Sequence, residues 1–101
     1  MSQIDIFASP SEIDAAFWKF HRENPKVYQK IVEMTNIAKL NGRKRIGMKM
    51  LFEVIRWEHL VHTRSDDFAL NNNYTSRYVR MLASDYPELA DMFEIRRIKG
   101  E

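Results

Sequence analysis

The side chains best placed to do chemistry are His59 and His62, three residues apart with Glu58 beside them, a spacing that can bring two imidazoles from one helix to one metal ion. The order Glu-His-x-x-His matches neither His-Glu-x-x-His nor His-x-x-Glu-His, and the only acidic neighbours downstream are Asp66 and Asp67. The pair reads as exposed imidazoles near a helix end, where they suit the dipole, and no metal is expected. His21 stands alone and reads as a surface residue. The glycines at 42, 47 and 100 form no phosphate loop, no serine sits in a nucleophile elbow, and the absence of cysteine removes thiolate chemistry. The sequence therefore predicts a non-catalytic protein without a cofactor.

Charge offers a different chemistry. The net charge is +2, but residues 1–24 carry two basic and four acidic groups, residues 25–64 nine and three, and residues 65–101 five and seven. The middle of the chain is thus +6 between two flanks of −2, and a surplus so gathered suits a polyanion, although helices also carry solvated charge for solubility. Two groups of residues carry the nucleic-acid expectation. Lys39, Arg43, Lys44, Arg45 and Lys49 are phosphate-contacting types. Asn72, Asn73, Thr75, Ser76, Arg77 and Arg80 are types that hydrogen-bond base edges or phosphates from the start of a recognition helix. The competing account is that the asparagines cap a helix, that Arg77 and Arg80 pair with Asp85 or acidic residues of the tail, and that the basic loop is solvated.

These groups must be carried by helices. One hundred and one residues with 45% apolar and 30% charged composition make a single domain with one core. Residues 1–8 read as an arm before a domain of residues 9–99. Ser9, Pro10 and Glu12 form a capping box, followed by Ile13, Ala16, Phe17 and Phe20 on one face. Trp18 lies off that stripe, where it either covers a second helix, the preferred reading, or is available to a partner. Asn24-Pro25 stops this helix and caps the next, which aligns Val27, Ile31, Met34 and Ala38, with Tyr28 and Val32 widening the face. Asn41-Gly42 ends it, better as a left-handed helix cap than as a hairpin turn.

The stretch Arg43 to Arg64 reads as the organising helix. Ile46, Met50, Val54, Trp57 and Val61 step by four, four, three and four, Leu51 and Ile55 thicken the stripe, and more than half the circumference is expected inside. Arg43, Lys44 and Arg45 in its first turn would oppose the helix dipole, unless Gly47 marks the true start and the arginines lie in a loop. A fourth helix is predicted from about Asn73 to Asp85 with Tyr74, Tyr78, Met81 and Leu82 inward. A last short one from Pro87 buries Leu89, Met92 and Phe93. The tail, Phe93 to Lys99, extends that helix or forms a strand beside Phe68 to Leu70, like the wing of a winged helix.

Four strings are distinctive together: N-P-x-V-Y at Asn24 to Tyr28, R-W-E at Arg56 to Glu58, F-x-L-N-N-N-Y-x-S-R-Y-x-R from Phe68 to Arg80, and P-E-L with F-E-x-R from Pro87 to Arg96. Through them the chain, from about Phe17 to Arg97, resembles a group of small proteins encoded by tailed phages and prophages. The resemblance assigns no residue a role. It implies a bacterial cytoplasm during infection or lysogeny, where small proteins are commonly DNA-binding regulators or binders that block a host protein.

The expected architecture is all-α: a compact bundle of four to five helices with helix-turn-helix character, the third helix central, with or without a short two-stranded ribbon. The expected function is nucleic-acid binding, first of double-stranded DNA, through the basic loop and the polar helix. The alternative is a host-protein inhibitor anchored on Trp18, Tyr28 or Phe7. No membrane segment is expected, the location is expected to be cytoplasmic, and a homodimer is left open.

Overall fold

The computed structural model describes residues 10–63, 68 and 70–93. They form four α-helices, α1 (Pro10–Glu23), α2 (Pro25–Leu40), α3 (Met48–His62) and α4 (Thr75–Asp85), with a 3-10 turn, η1 (Asn72–Tyr74), before α4 and another, η2 (Pro87–Met92), after it. Among the described residues there is no strand, so the expected all-α bundle is what the chain forms. The N-terminal arm and the capping serine at position 9 lie outside the described residues, as do the tail residues 95–98 of the expected ribbon. Of its other side, Phe68 and Leu70 are in irregular backbone.

Proline and asparagine punctuate the chain. Asn24 has φ −133° and ψ 60°, as a residue before proline must leave the helical region. Its side chain does not cap α2, as the sequence had suggested, but turns back: Nδ2 donates to the Phe20 carbonyl at 3.0 Å, satisfying the end of α1. α2 ends in a Schellman motif, with Gly42 N–H donating to Lys39 O and Arg43 N–H to Ala38 O, both at 3.0 Å, and with Gly42 at φ +81°. That is the left-handed cap expected, and the hairpin alternative falls. η1 is opened by Asn71, whose Oδ1 accepts from Asn73 N–H at 2.8 Å.

The core gathers on α4 and not on α3. The Tyr78 ring is fully buried and meets Phe17 of α1 (centroids 4.8 Å), Tyr28 of α2 (6.1 Å) and Phe52 of α3 (5.9 Å), so three helices converge on one residue of the fourth. Phe17, Phe20, Val27, Ile31, Tyr74, Leu82, Leu89, Met92 and Phe93 are buried as the sequence predicts. Val79 and Thr35 are also inside, and Thr35 meets the cost of burying a hydroxyl by donating to Ile31 O at 2.7 Å.

The largest departure is α3. Its buried side chains are Met48, Leu51, Phe52 and Ile55, while Met50, Val54, Trp57 and Val61 of the predicted stripe are 53, 38, 62 and 49% exposed. The helix is apolar on both sides, and period alone does not select the face that packs. His21 also departs from expectation. It is half-buried, with its ring 5.6 Å from Tyr28 and 6.0 Å from Tyr78, and no partner for Nδ1. Trp18 is half-exposed and lies edge-on against Phe17 in its own helix.

Candidate nucleic-acid interface

α3 begins after Gly47, whose backbone is extended at φ −99° and ψ 132°. Arg43, Lys44 and Arg45 therefore precede the helix in a loop, and the dipole conflict posed for them dissolves, while Lys49 alone sits in the first turn. The loop is pinned from the far end of the chain, since Ile46 N–H donates to Met92 O at 2.8 Å. No atom lies within 4 Å of the Cβ that a side chain at Gly47 would add, so this glycine marks a helix start and not a close backbone approach.

This arrangement lays the start of α3 beside the start of α4. Between them runs a groove of about 590 Å³ lined by Arg45, Ile46, Gly47, Met48 and Lys49 on one side and Asn72, Thr75, Ser76, Val79 and Arg80 on the other, with Phe93 beneath. Three cations and three hydrogen-bonding side chains, from segments more than twenty residues apart, thus share one concavity. No carboxylate lines it among the described residues. Its floor is apolar and buried, through Met48, Val79 and Phe93.

One further residue holds the polar side in place. Arg56 of α3 donates from one guanidinium nitrogen to Leu70 O at 2.5 Å and Asn72 Oδ1 at 2.7 Å, and from the other to Glu53 Oε1 at 2.6 Å. It therefore ties η1, and Asn72 with it, to α3. Nothing in sequence spacing singles out this arginine, because its acceptors lie fourteen and sixteen residues ahead.

The remaining predicted residues disperse. Lys39 Nζ donates to Glu88 O at 3.0 Å, joining α2 to η2. Arg43 lines a different groove, between the end of α2 and the start of α3, which Arg45 also borders. Lys44 and Asn73 are exposed, and the Asn73 carbonyl accepts from Arg77 at 3.2 Å. Arg77 turns to α1, where Nε meets Asp14 Oδ1 at 2.8 Å. At the other end of α3, His59 stacks on Phe68 at 4.4 Å, and among the described residues no three metal-ligating side chains are grouped; Asp66 and Asp67 lie outside those residues.

Fold and groove together define an all-helical domain with a cationic cleft at two helix starts. No family model matches the chain, and no curated protein or solved structure matches it either. No described helix is long and apolar enough to cross a membrane.

Proposed function

We propose that the chain binds nucleic acid, in the first place double-stranded DNA, in the groove between the starts of α3 and α4. The observation that carries this is the meeting of Arg45, Lys49 and Arg80 with Asn72, Thr75 and Ser76 in one groove, which no carboxylate lines among the described residues. Cations of this kind neutralise phosphates at any sequence, while the short polar side chains at the start of α4 suit base edges. Gly47 brings no side chain to the first turn of α3, so the N–H groups there favour an anion. In the helix-turn-helix reading, α3 would brace α4 as the recognition helix. The connection of residues 63–74 is longer than the three- or four-residue turn of that motif. A phage or prophage setting in a bacterial cytoplasm belongs to the same proposal.

The test is retention of a double-stranded oligonucleotide in about 50 mM salt, with affinity falling steeply towards about 200 mM. Absence of retention at the lower salt defeats the proposal. A second reading, inhibition of a host protein, has one observation in its favour: Trp18 keeps half of its surface exposed, whereas Tyr28 is tied to Asp85 at 2.7 Å. A single stoichiometric partner that survives nuclease, and is lost with Trp18→Ala, would favour this reading.

A further inference from the structure

α3 presents its second apolar face to the outside. Met50, Val54, Trp57 and Val61 lie along it at steps of four, three and four, Leu60 is 69% exposed at its edge, and Ile37 of α2 borders the same groove as Met50. Steps of four and three are those of a coiled-coil seam, in which the side chains of a second helix seat between those of the first.

We infer that the occupant is α3 of a second copy of this chain, packed antiparallel about a two-fold axis between Val54 and Trp57. In that register Met50 faces Val61 of the other copy, and Val54 faces its Trp57. Each large side chain thus meets a smaller one, and the stripe is complementary to itself as a two-fold interface requires. A parallel pairing would set indole against indole and leave valine opposite valine. The area agrees: at these exposures the six side chains offer on the order of 600 Å² of apolar surface, at the top of the range for a monomer's largest patch. With Glu53 and Glu58 as a polar rim the face approaches the roughly 800 Å² per partner of a stable interface. Dimerisation here leaves both basic grooves open, one near each end of the paired helices, and holds whether or not they bind nucleic acid.

The test is the mass of the full chain in solution from about 1 to about 200 µM, because association follows concentration. The expected result is a species of twice the 12.1 kDa chain mass at the upper end. Trp57→Glu and Val54→Glu should both be monomeric with unchanged helical circular dichroism, since both side chains are exposed in the monomer. The chain has no cysteine, so introduced cysteines report orientation: Met50→Cys mixed with Val61→Cys should form an intermolecular disulfide between the two variants on mild oxidation, and Met50→Cys alone should not. A monomer at every concentration, or a dimer that survives Trp57→Glu, overturns the inference, whatever else then covers the stripe. Equal cross-linking of Met50→Cys alone overturns the antiparallel arrangement.

Discussion

Arg77 and Asp14 are 63 residues apart, and the guanidinium Nε donates to the carboxylate at 2.8 Å, fastening α4 to α1. The arginine side chain is 12% exposed and also donates to Asn73 O, so it is committed to the fold although its position suggested a recognition face. Arg77→Ala should cost about 1–2 kcal/mol in urea unfolding, the lower end being set by the exposure of Asp14. Oligonucleotide affinity of the folded variant should stay within about twofold of the parent, because Arg77 does not line the groove. A loss of more than tenfold in affinity would return Arg77 to the interface.

Arg56 is the test of how the groove is held. Its fork satisfies three acceptors, on η1, on the connection before it and on Glu53, so removing it strands the Leu70 carbonyl beside a buried side chain. Arg56→Met should lower stability by roughly 2 kcal/mol. Arg56→Lys should rescue little of this, because an ammonium cannot span the three acceptors. Chemical denaturation of the three proteins checks the order, and a fully stable lysine variant would contradict it.

Much of this fold could be read from sequence because its helix ends are written in asparagine, proline and glycine. Asn24-Pro25, Asn41-Gly42 and Pro87 each stop or start an element within a residue or two of prediction. The buried faces of α1, α2 and α4 were also legible, since each has one apolar stripe against polar remainder. α3 was not, because Met48, Leu51, Phe52 and Ile55 form one apolar arc and Met50, Val54, Trp57 and Val61 another. Only the position of α2 and α4 decides between them. The two halves of the groove were legible as residue types. Their meeting was not, since it depends on the Ile46 bond to Met92 and on Arg56, both long-range contacts without local signature. His21 was misread for the same reason: the rings that enclose it include Tyr28 and Tyr78, brought by other helices.

The tyrosines predict alkaline sensitivity. An unfolded tyrosine ionises near pH 10.0, and in the fold burial holds the hydroxyls of Tyr28, Tyr74 and Tyr78 protonated to higher pH, with Asp85 adding to the effect at Tyr28. Above pH 10 the unfolded chain therefore releases protons that the folded chain retains. Stability fully present below that pH falls as pH rises through the folded values. Urea midpoints should be level from about pH 8 to about pH 9.5 and decline beyond, less steeply in Tyr78→Phe. At neutral pH the same variant should be as stable as the parent or about 1 kcal/mol more so, because the Tyr78 hydroxyl is buried without a hydrogen-bond partner.

Gly42 and Gly47 should respond differently to alanine. Gly42 holds φ +81° in the cap of α2, a conformation that strains any side chain, so Gly42→Ala should lower stability by about 1 kcal/mol although nothing blocks the methyl group. Gly47 has φ −99° and open space around it, so Gly47→Ala should change stability by less than about 0.5 kcal/mol. Thermal unfolding of the pair distinguishes backbone strain from packing. Equal losses would mean that Gly47 contributes to stability as the N-cap of α3.

The basic cluster can be divided by where its members stand. Arg45, Lys49 and Arg80 line the groove, whereas Lys39 is bonded to Glu88 O and Lys44 is exposed on the loop. If phosphates enter the groove, each groove cation removed should lower the slope of log affinity against log salt by about 1, so Arg45→Ala with Lys49→Ala should lower it by about 2. The pair Lys39→Ala and Lys44→Ala has the same formal charge and should leave most of the slope intact. Thr75→Ala with Ser76→Ala should leave the slope unchanged and reduce discrimination between oligonucleotide sequences, since short hydroxyls read edges and carry no charge. Titrations of the three double variants at several salt concentrations separate these outcomes. Equal losses of slope from the two lysine-containing pairs would show that binding follows net charge alone and that the groove has no special part in it.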